Sequence, residues 1–489
     1  MVSVPSFKSI LENRLIKIRY MFCTPFALYH SAIKTGGWIT GFTKGGIQLK
    51  IIINVVLAFA FVLISVPAFA FHSGGVAECE GCHSMHNSFE GAANVTGMSQ
   101  YKSGPYLLKA QDQSGACLNC HQAGDTTPGP VTGKDNGYHI STAGVTAYDS
   151  TTPVELTPGG DFAWLKKTMT FYLWHDPSVS TEGDRHGHNI IAVDFGYTQD
   201  MVLTAAPGGT YPAANLACSS CHDPHGKYRR LADGTKATTG LPIFNSGSYI
   251  NSKDPITGVS AVGVYRLLAG VGYQPKSLTG SYAFANPSPD ALAPSSYNGL
   301  NDTIAGGKDR VAYGQGMSEW CANCHTAMHK DNYTSGTKGL VHPAGNGAKL
   351  TAAIAGNYKS YVSSGIAGTP ASGGYSSLAP FELGSGDYAA IKTFQASPGG
   401  VSTSSNVLCL SCHRAHASAF ESMTRYYLGN EFMTVADASN AAAYDSSTTE
   451  NKINTGYSVT QQQNAYNGRP ASLFGPYARD YCNKCHAKD

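Results

Sequence analysis

The chain has little charge, almost no cysteine outside one repeated motif, and a single long apolar run. Lys, Arg, Asp and Glu make up 13% of its 489 residues, whereas about a quarter is usual. A surface so short of charge does little to resist self-association. Without residues 1–70 the chain keeps 27 basic and 31 acidic side chains, and this balance excludes a basic, nucleic-acid-binding protein.

Twelve of the 13 cysteines belong to six Cys-x-x-Cys-His motifs, and only Cys23 lies outside them. In this motif two thiols bond covalently to the vinyl groups of a haem, and the histidine binds one face of the iron. A zinc site would need cysteine pairs facing further Cys or His pairs, without a histidine after every second cysteine. The sequence therefore predicts six c-type haems, held by Cys79, Cys82 and His83; Cys117, Cys120 and His121; Cys218, Cys221 and His222; Cys321, Cys324 and His325; Cys409, Cys412 and His413; and Cys482, Cys485 and His486.

An export signal precedes the first motif, as haem attachment outside the cytoplasm requires. Residues 51–66 form an apolar core after two lysines, and the small residues Ala68 and Ala70 supply a cleavage site before Phe71. The core is short for a membrane span, and an uncleaved anchor is the alternative. We expect residues 1–70 to be an N-terminal extension plus a cleavable signal peptide, and residues 71–489 to be one domain without a membrane span. Residues 1–43 support no prediction of fold or function.

The segments between the motifs predict a fold with little regular structure. The motifs begin at residues 79, 117, 218, 321, 409 and 482, so their spacing forms no regular repeat. Gly, Ser, Thr, Asn and Pro are dense between them, and residues 122–160 and 275–310 are typical of irregular loops. Helices are expected near 104–112, 316–330, 347–364, 387–395 and 415–437, and a short strand near 169–173.

Loops of this length need a core that something other than the chain supplies. Haem macrocycles would supply apolar surface, and their covalent bonds would cross-link the loops as disulfides do in small scaffolds. We therefore predict one elongated unit, mostly irregular coil with short α-helices and minimal β-structure. Its core would be six stacked haems, with no hydrophobic core made by the chain alone.

Six irons need twelve axial ligands, of which the motif histidines supply six. Ten further histidines follow residue 70. The preferred distal ligands among them are His86, His139, His188, His225, His329, His342 and His416. The weaker candidates are His72, His175 and His186. Methionine is the other common axial ligand, but with histidine in surplus Met85 and Met328 are interpreted as packing against haem edges.

Four of these histidines closely follow a motif. His86, His225 and His416 lie three residues after a motif histidine, and His329 lies four residues after one. Two such side chains lie near each other on one helical turn, so the second can bind a haem stacked beside the first. His86 cannot reach the opposite face of the iron bound by His83, and it therefore serves some other iron.

A basic run, Lys227, Tyr228, Arg229 and Arg230, follows the third motif. It is either a solvated surface patch or a set of partners for haem propionates. The sequence alone leaves both interpretations open.

Whole segments of residues 71–489 resemble the outer-surface hexahaem c-type cytochromes of metal-reducing bacteria, which polymerise into conductive filaments. The segments include FHSGGVAECEGCHSMHNS, CSSCHDPHGKYRR, RVAYGQGMSEWCANCH, LVHPAGNGAK and YQPKSLTGSYAFAN. The resemblance implies six bis-histidine haems, a mostly irregular fold and protomers joined head to tail. It also implies that His86 ligates the haem held by His413 in the adjacent protomer. The longer N-terminus departs from the family, and His175 and His186 have no counterpart in its pattern.

The predicted function is an extracellular electron conduit without a substrate pocket, and not an enzyme. The protein would be exported through the periplasm to the outer surface, with extracellular metal oxides or redox partner cytochromes as acceptors. A multihaem oxyanion reductase needs one iron with an open face, often with lysine in place of a motif histidine, but all six motifs end in histidine. A monomeric periplasmic shuttle would share the haems, would not need an exposed His86, and would usually carry a more charged docking surface.

Overall fold

The computed structural model describes residues 79–84, 88–89, 92–93, 105–123, 139–146, 153, 157–172, 178–226, 229–231, 233–237, 255–293, 311–330, 341–360, 378–396, 400–446, 455–466 and 469–486. All of them belong to Ala68–Asp489, the second of two units into which the chain divides. The predicted signal segment and His72, His86 and His175 lie outside the described residues. The predicted boundary at residue 70 stays a prediction.

The helices of the described residues are short. The α-helices are α1 (Cys79–Cys82), α2 (Gln113–His121), α3 (Cys218–Cys221), α4 (Met317–Cys321), α5 (Ala352–Ser360), α6 (Tyr388–Ala396), α7 (Cys409–Cys412), α8 (Val459–Ala465) and α9 (Asn483–His486). Single 3-10 turns cover Pro105–Leu107, Phe162–Lys166, Gly183–Arg185, Val193–Phe195, Ala213–Asn215, Tyr265–Leu267, Lys276–Leu278, Thr326–Met328, Glu421–Met423 and Ala471–Leu473. Six of the α-helices contain part of a haem motif, so much of the helical structure is at the predicted sites.

The strands are equally short and pair locally. They are β1 (Ser88–Phe89), β2 (Ala92–Ala93), β3 (Gln122–Ala123), β4 (Ser141–Thr142), β5 (Met169–Tyr172), β6 (Ser178–Thr181), β7 (Arg229–Arg230), β8 (Lys236–Ala237), β9 (Val262–Gly263), β10 (Asp290–Leu292), β11 (Ala312–Gln315), β12 (Phe432–Val435) and β13 (Tyr477–Arg479). Two-stranded sheets join β1 to β2, β3 to β4, β5 to β6, β10 to β11 and β12 to β13, and one three-stranded sheet has the order β8-β7-β9. Only β3 and β4 pair in parallel among these strands. The mostly irregular fold with short helices is as predicted.

The longer helices form where capping and apolar periodicity agree. In α6 the Asp387 carboxylate accepts the N–H of Ala390 at 2.6 Å, and the helix buries Tyr388, Ile391 and Phe394 on one face. The Asp112 carboxylate caps α2 by accepting the N–H of Gly115 at 2.7 Å. The prediction of a helix near 387–395 and of a strand near 169–173 is confirmed, and α5 lies inside the predicted 347–364.

Two predicted helices, 104–112 and 415–437, are wrong for the same physical reason. Tyr106 and Leu107 in the first, and Ser422 and Met423 in the second, have φ between 49° and 59°. This left-handed conformation ends a right-handed helix. The second segment then continues as strand β12. The predicted helix over 316–330 is reduced to α4 and the turn Thr326–Met328.

The chain does make a hydrophobic core, so the prediction that it would have none of its own is wrong. The main cluster includes the fully buried side chains of Leu292, Tyr358, Ile391, Leu408 and Met433. A smaller cluster holds Leu118, Phe162, Ile190, Ala192 and Tyr197. Because Leu118 lies within the second motif and Leu408 directly precedes the fifth, packing of the chain positions the haem motifs. Within the described ranges, no helix is long and apolar enough to cross a membrane.

Candidate haem-binding sites

Each Cys-x-x-Cys-His motif forms one helical turn. The N–H of the motif histidine donates to the carbonyl of the first cysteine, with N···O distances of 2.8 Å for His83, 2.9 Å for His486 and 3.0 Å for His222, His325 and His413. In the second motif the turn is the last part of α2, which ends at His121. Residues separated by three or four positions share one helix face, so this turn brings both thiols and the imidazole to one side of the backbone.

A tight turn closes over the first, third and fifth motifs. Each turn contains two consecutive left-handed residues, which are Tyr106 and Leu107, Arg266 and Leu267, and Ser422 and Met423. The carbonyl of the second residue accepts the N–H that follows the motif histidine, with distances of 2.6 Å from Ser84 and 2.8 Å from Asp223 and Arg414. A left-handed non-glycine residue costs about 1–2 kcal/mol, so the surrounding contacts must hold each turn in place.

The same turns orient the motif histidines. His83 Nδ1 lies 3.0 Å from the Tyr106 carbonyl, His222 Nδ1 lies 2.7 Å from that of Arg266, and His413 Nδ1 lies 2.9 Å from that of Ser422. The carbonyl of Pro207 takes this role for His325, at 2.9 Å. A carbonyl only accepts, so Nδ1 carries the proton and Nε2 keeps the lone pair that an iron needs.

Two predicted distal histidines have the same arrangement. His188 Nδ1 lies 2.7 Å from the Ala415 carbonyl, and His342 Nδ1 lies 2.8 Å from that of Pro343. Burial lowers the pKa of His188 to about 4 and that of His416 to about 3, and it also lowers the pKa of His222 and His413. These rings are therefore neutral at physiological pH, as metal ligation requires.

Four pairs of histidine rings face one another at the separation that a doubly ligated iron requires. An iron about 2 Å from Nε2 of each ring would place the ring centroids about 6 Å apart. The observed centroid distances are 6.4 Å for His83 and His225, 6.5 Å for His222 and His416, 6.0 Å for His325 and His188, and 5.9 Å for His486 and His342. Each pair joins a motif histidine to a predicted distal histidine, so the residues present fit a bis-histidine haem.

Three further candidate histidines, His139, His186 and His329, lie within the described residues. His139 is fully buried. The N–H of the next residue, Ile140, donates to the His121 carbonyl at 3.0 Å, so His139 lies beside the second motif. His329 Nε2 lies 3.6 Å from the carboxylate of Glu319. His186 is buried with Nε2 2.8 Å from the Thr181 hydroxyl and Nδ1 3.3 Å from the Trp164 carbonyl, which makes it a structural residue.

Two pairs of neighbouring motifs each form a junction at their first cysteines. The side chains of Cys117 and Cys218 are in contact, and so are those of Cys321 and Cys409. In both junctions a serine three residues before the earlier cysteine accepts the N–H of the later one, at 3.1 Å from Ser114 and 3.0 Å from Ser318. The second motif therefore joins the third, and the fourth joins the fifth, by the same contact. Sequence reasoning missed this Ser-x-x-Cys signal, which occurs in both motifs.

Arg230 in the basic run is buried, so the interpretation as a solvated surface patch is wrong for this residue, and pairing with a haem propionate stays a prediction. Its buried guanidinium forms an ion pair with Asp290 and donates to the carbonyls of Gly234 and Gly386, each at 2.9 Å. Lys227 and Tyr228 lie outside the described residues.

Six attachment turns and paired imidazoles on a coil scaffold define a multihaem c-type cytochrome. The chain belongs to the family of the C-type cytochrome OmcS of Geobacter sulfurreducens, to which it is 56% identical over 445 residues, 89% of this chain and 99% of the relative. No family model matches the chain. The resemblance to filament-forming surface cytochromes is thus confirmed, and c-type haem is the cofactor.

Two solved structures share the fold. One is described as cryo-EM of the OmcS nanowires from Geobacter sulfurreducens, with a TM-score of 0.73, and the other as the outer membrane cytochrome S filament of that organism, with a TM-score of 0.72. Both are 55% identical to this chain and cover 86% of it, and the match spans 100% of each solved chain. Nearly the whole of the solved fold therefore has a counterpart here.

Proposed function

We propose that this protein is an extracellular electron conduit whose copies join head to tail into a conductive filament. The observation that carries the proposal is the match over 100% of the chain in two solved OmcS filaments. Electrons would pass between haems along the filament and leave at its surface. Extracellular metal oxides or redox partner cytochromes are the proposed acceptors, after export through the periplasm and cleavage before Phe71.

Each haem would be attached by one motif turn and held between two imidazoles. The four facing pairs support His225, His416, His188 and His342 as distal ligands of the first, third, fourth and sixth haems. The position of His139 beside the second motif supports it as the ligand there. Haem supplies one-electron redox chemistry, and the two imidazoles close both faces of each iron. This ligation leaves no position for a substrate, in agreement with a non-enzymatic role.

The pairing also supports an intermolecular role for His86. His225 follows the third motif and faces the histidine of the first, and His416 follows the fifth and faces that of the third. Each of these two histidines lies three residues after its own motif and faces the histidine of the motif two positions earlier. His86 follows the first motif, so the corresponding site is the fifth motif, at His413, in an adjacent copy. An iron–histidine bond would then link the protomers.

The junction contacts give independent support. Cys79 and Cys482 are the first cysteines of the first and last motifs, and both are exposed. Contact of the sixth motif of one copy with the first motif of the next would continue the pattern. A heterologous contact that does not close on itself produces an open filament.

Cryo-electron microscopy of material sheared from expressing cells tests the proposal. Filaments with density joining His86 to the haem at His413 of a neighbour are expected. His86→Ala should shorten or abolish them, whereas His225→Ala, which has the same spacing but an intramolecular partner, should open one haem and leave polymerisation intact. Discrete particles carrying all haems would instead favour a monomeric shuttle.

A further inference from the structure

Glu382 is a fully buried carboxyl group between the segments that lead into the fourth and fifth motifs. Its Oε1 accepts the N–H of Met317, the first residue of α4, at 2.8 Å, and its Oε2 accepts the side-chain amide of Asn406 at 3.2 Å. Met317 lies four residues before Cys321, and Asn406 lies three residues before Cys409. The backbones of Glu382 and Asn406 bond in both directions at 3.0 Å, so the carboxyl group is held rigidly.

The charged groups around this carboxyl group do not neutralise it. Glu319 on α4 faces it and disfavours its ionised form, and Cys409 carries no charge once it is bonded to haem. The ammonium of Lys349 donates to the Ser404 carbonyl at 2.9 Å, and His329 lies against Glu319. No ion pair to Glu382 exists in the part of the chain that the structure describes. Burial raises the pKa of Glu382 to about 7, despite the two donated hydrogen bonds.

Asn406 can accommodate either protonation state. Its Nδ2 donates to the ionised carboxylate, while its Oδ1 is buried and makes no hydrogen bond among the described residues. Rotation of the amide by half a turn would present Oδ1 as an acceptor for a protonated carboxyl group. The pair therefore retains a hydrogen bond with or without the proton.

We propose that Glu382 binds a proton when the haems of the fourth and fifth motifs are reduced and releases it when they are oxidised. Each electron that enters adds one negative charge in a region of low dielectric, and one proton on the carboxylate cancels it. The proton comes from water and returns to it on oxidation. Electron transfer through this junction is thereby coupled to proton transfer. The inference rests on haem attachment at these two motifs and not on polymerisation.

Potentiometric titration of the haem-loaded protein between pH 5 and pH 9 tests the inference. In the unmodified protein, one component of the titration should become harder to reduce as the pH rises above about 7. Its reduction potential should fall by up to 59 mV per pH unit, which is a tenfold change in the equilibrium constant of a one-electron reduction. Glu382→Gln should remove this dependence and make that component easier to reduce at pH 8, with little change at pH 5. Glu431→Gln removes a carboxylate that is exposed beside Arg479 and serves as the control. An unchanged pH dependence in Glu382→Gln would overturn the inference.

Redox-difference infrared spectroscopy keeps the test decisive if Glu382→Gln folds poorly. Reduction at pH 7 should produce a protonated-carboxyl band that shifts in Glu382→Asp, which retains the titratable group. A spectrum that is identical in the two proteins would contradict the inference. The haems are counted first, by mass spectrometry. A count below six contradicts the proposed haem ligation, whereas a count of six with a failed Glu382 test contradicts only the proton binding by Glu382.

Discussion

His186 and His188 lie two residues apart, but their ring nitrogens have different partners. Both nitrogens of His186 are engaged, by the Thr181 hydroxyl and the Trp164 carbonyl. His188 bonds a carbonyl through Nδ1 only, and its ring faces that of His325 at 6.0 Å. At the residue scale, the hydrogen bond at the second nitrogen therefore separates a structural histidine from one that can bind iron.

This contrast gives a matched test. His188→Ala should leave the iron at His325 with one open face, so the reduced protein should bind carbon monoxide at one haem and its Soret band should shift. His186→Ala should leave the spectrum unmoved by carbon monoxide and lower the free energy of unfolding by about 1–3 kcal/mol, because Thr181 loses its buried partner. Carbon monoxide binding by neither variant would rule out His188 as an axial ligand.

Glu382 predicts a pH dependence of stability. A carboxyl group whose pKa is raised from 4.5 to about 7 by folding binds more protons in the folded than in the unfolded state between these values. Its contribution to the stability of the folded state is complete below pH 4.5 and is lost as the pH rises through about 7. Between pH 5 and pH 8, denaturant titrations should show a loss in the free energy of unfolding that is about 2–3 kcal/mol smaller for Glu382→Gln than for the unmodified protein. Equal losses would mean that the carboxyl group is not buried as described.

At the scale of elements, short turns rather than long helices hold candidate ligands such as His416. The N–H of His416 donates to the Gly159 carbonyl at 2.7 Å, and its ring stacks on Phe162 with centroids 4.5 Å apart. A Cβ on Gly159 would lie 2.6 Å from the imidazole of His416, and one on Gly160 would lie 1.9 Å from the Ala417 carbonyl. The two glycines thus form a cradle that a side chain would fill.

Gly159→Ala should displace His416 from its position opposite His222. We expect a fall of about 1–3 kcal/mol in the free energy of unfolding from overpacking, together with carbon monoxide binding at one haem. Gly356→Ala is the control, because a Cβ there meets nothing within 4 Å and the exposed site in α5 should gain up to about 1 kcal/mol. If Gly159→Ala were as stable and as closed to carbon monoxide as the control, the cradle would have no role in ligation.

At the scale of the whole molecule, residues of the two hydrophobic clusters lie both within and between the haem motifs. We expect the exported protein to have the mass of residues 71–489 plus six haems, and the reduced Soret band of its filaments to stay unmoved by carbon monoxide. Intact mass spectrometry and the carbon monoxide difference spectrum of the same preparation provide the measurement. A retained residue 51–66 segment would contradict the predicted cleavage, and a substantial Soret shift would favour an enzyme with an open iron.

The sequence by itself determined the six attachment motifs, the coil-rich fold class and the set of candidate distal histidines. Covalent haem attachment requires an unbroken local motif, and a Gly- and Ser-rich chain forms few long helices. The haem motifs and the coil-rich fold class can therefore both be predicted from short segments. It could not show that the ring of His225 lies near that of His83, or the ring of His342 near that of His486, because these contacts join segments far apart in the chain. Only the tertiary structure decided those pairs, the left-handed turns that replaced two predicted helices, and the burial of Glu382 and Arg230. Each of these depends on packing between distant segments, which local spacing does not encode.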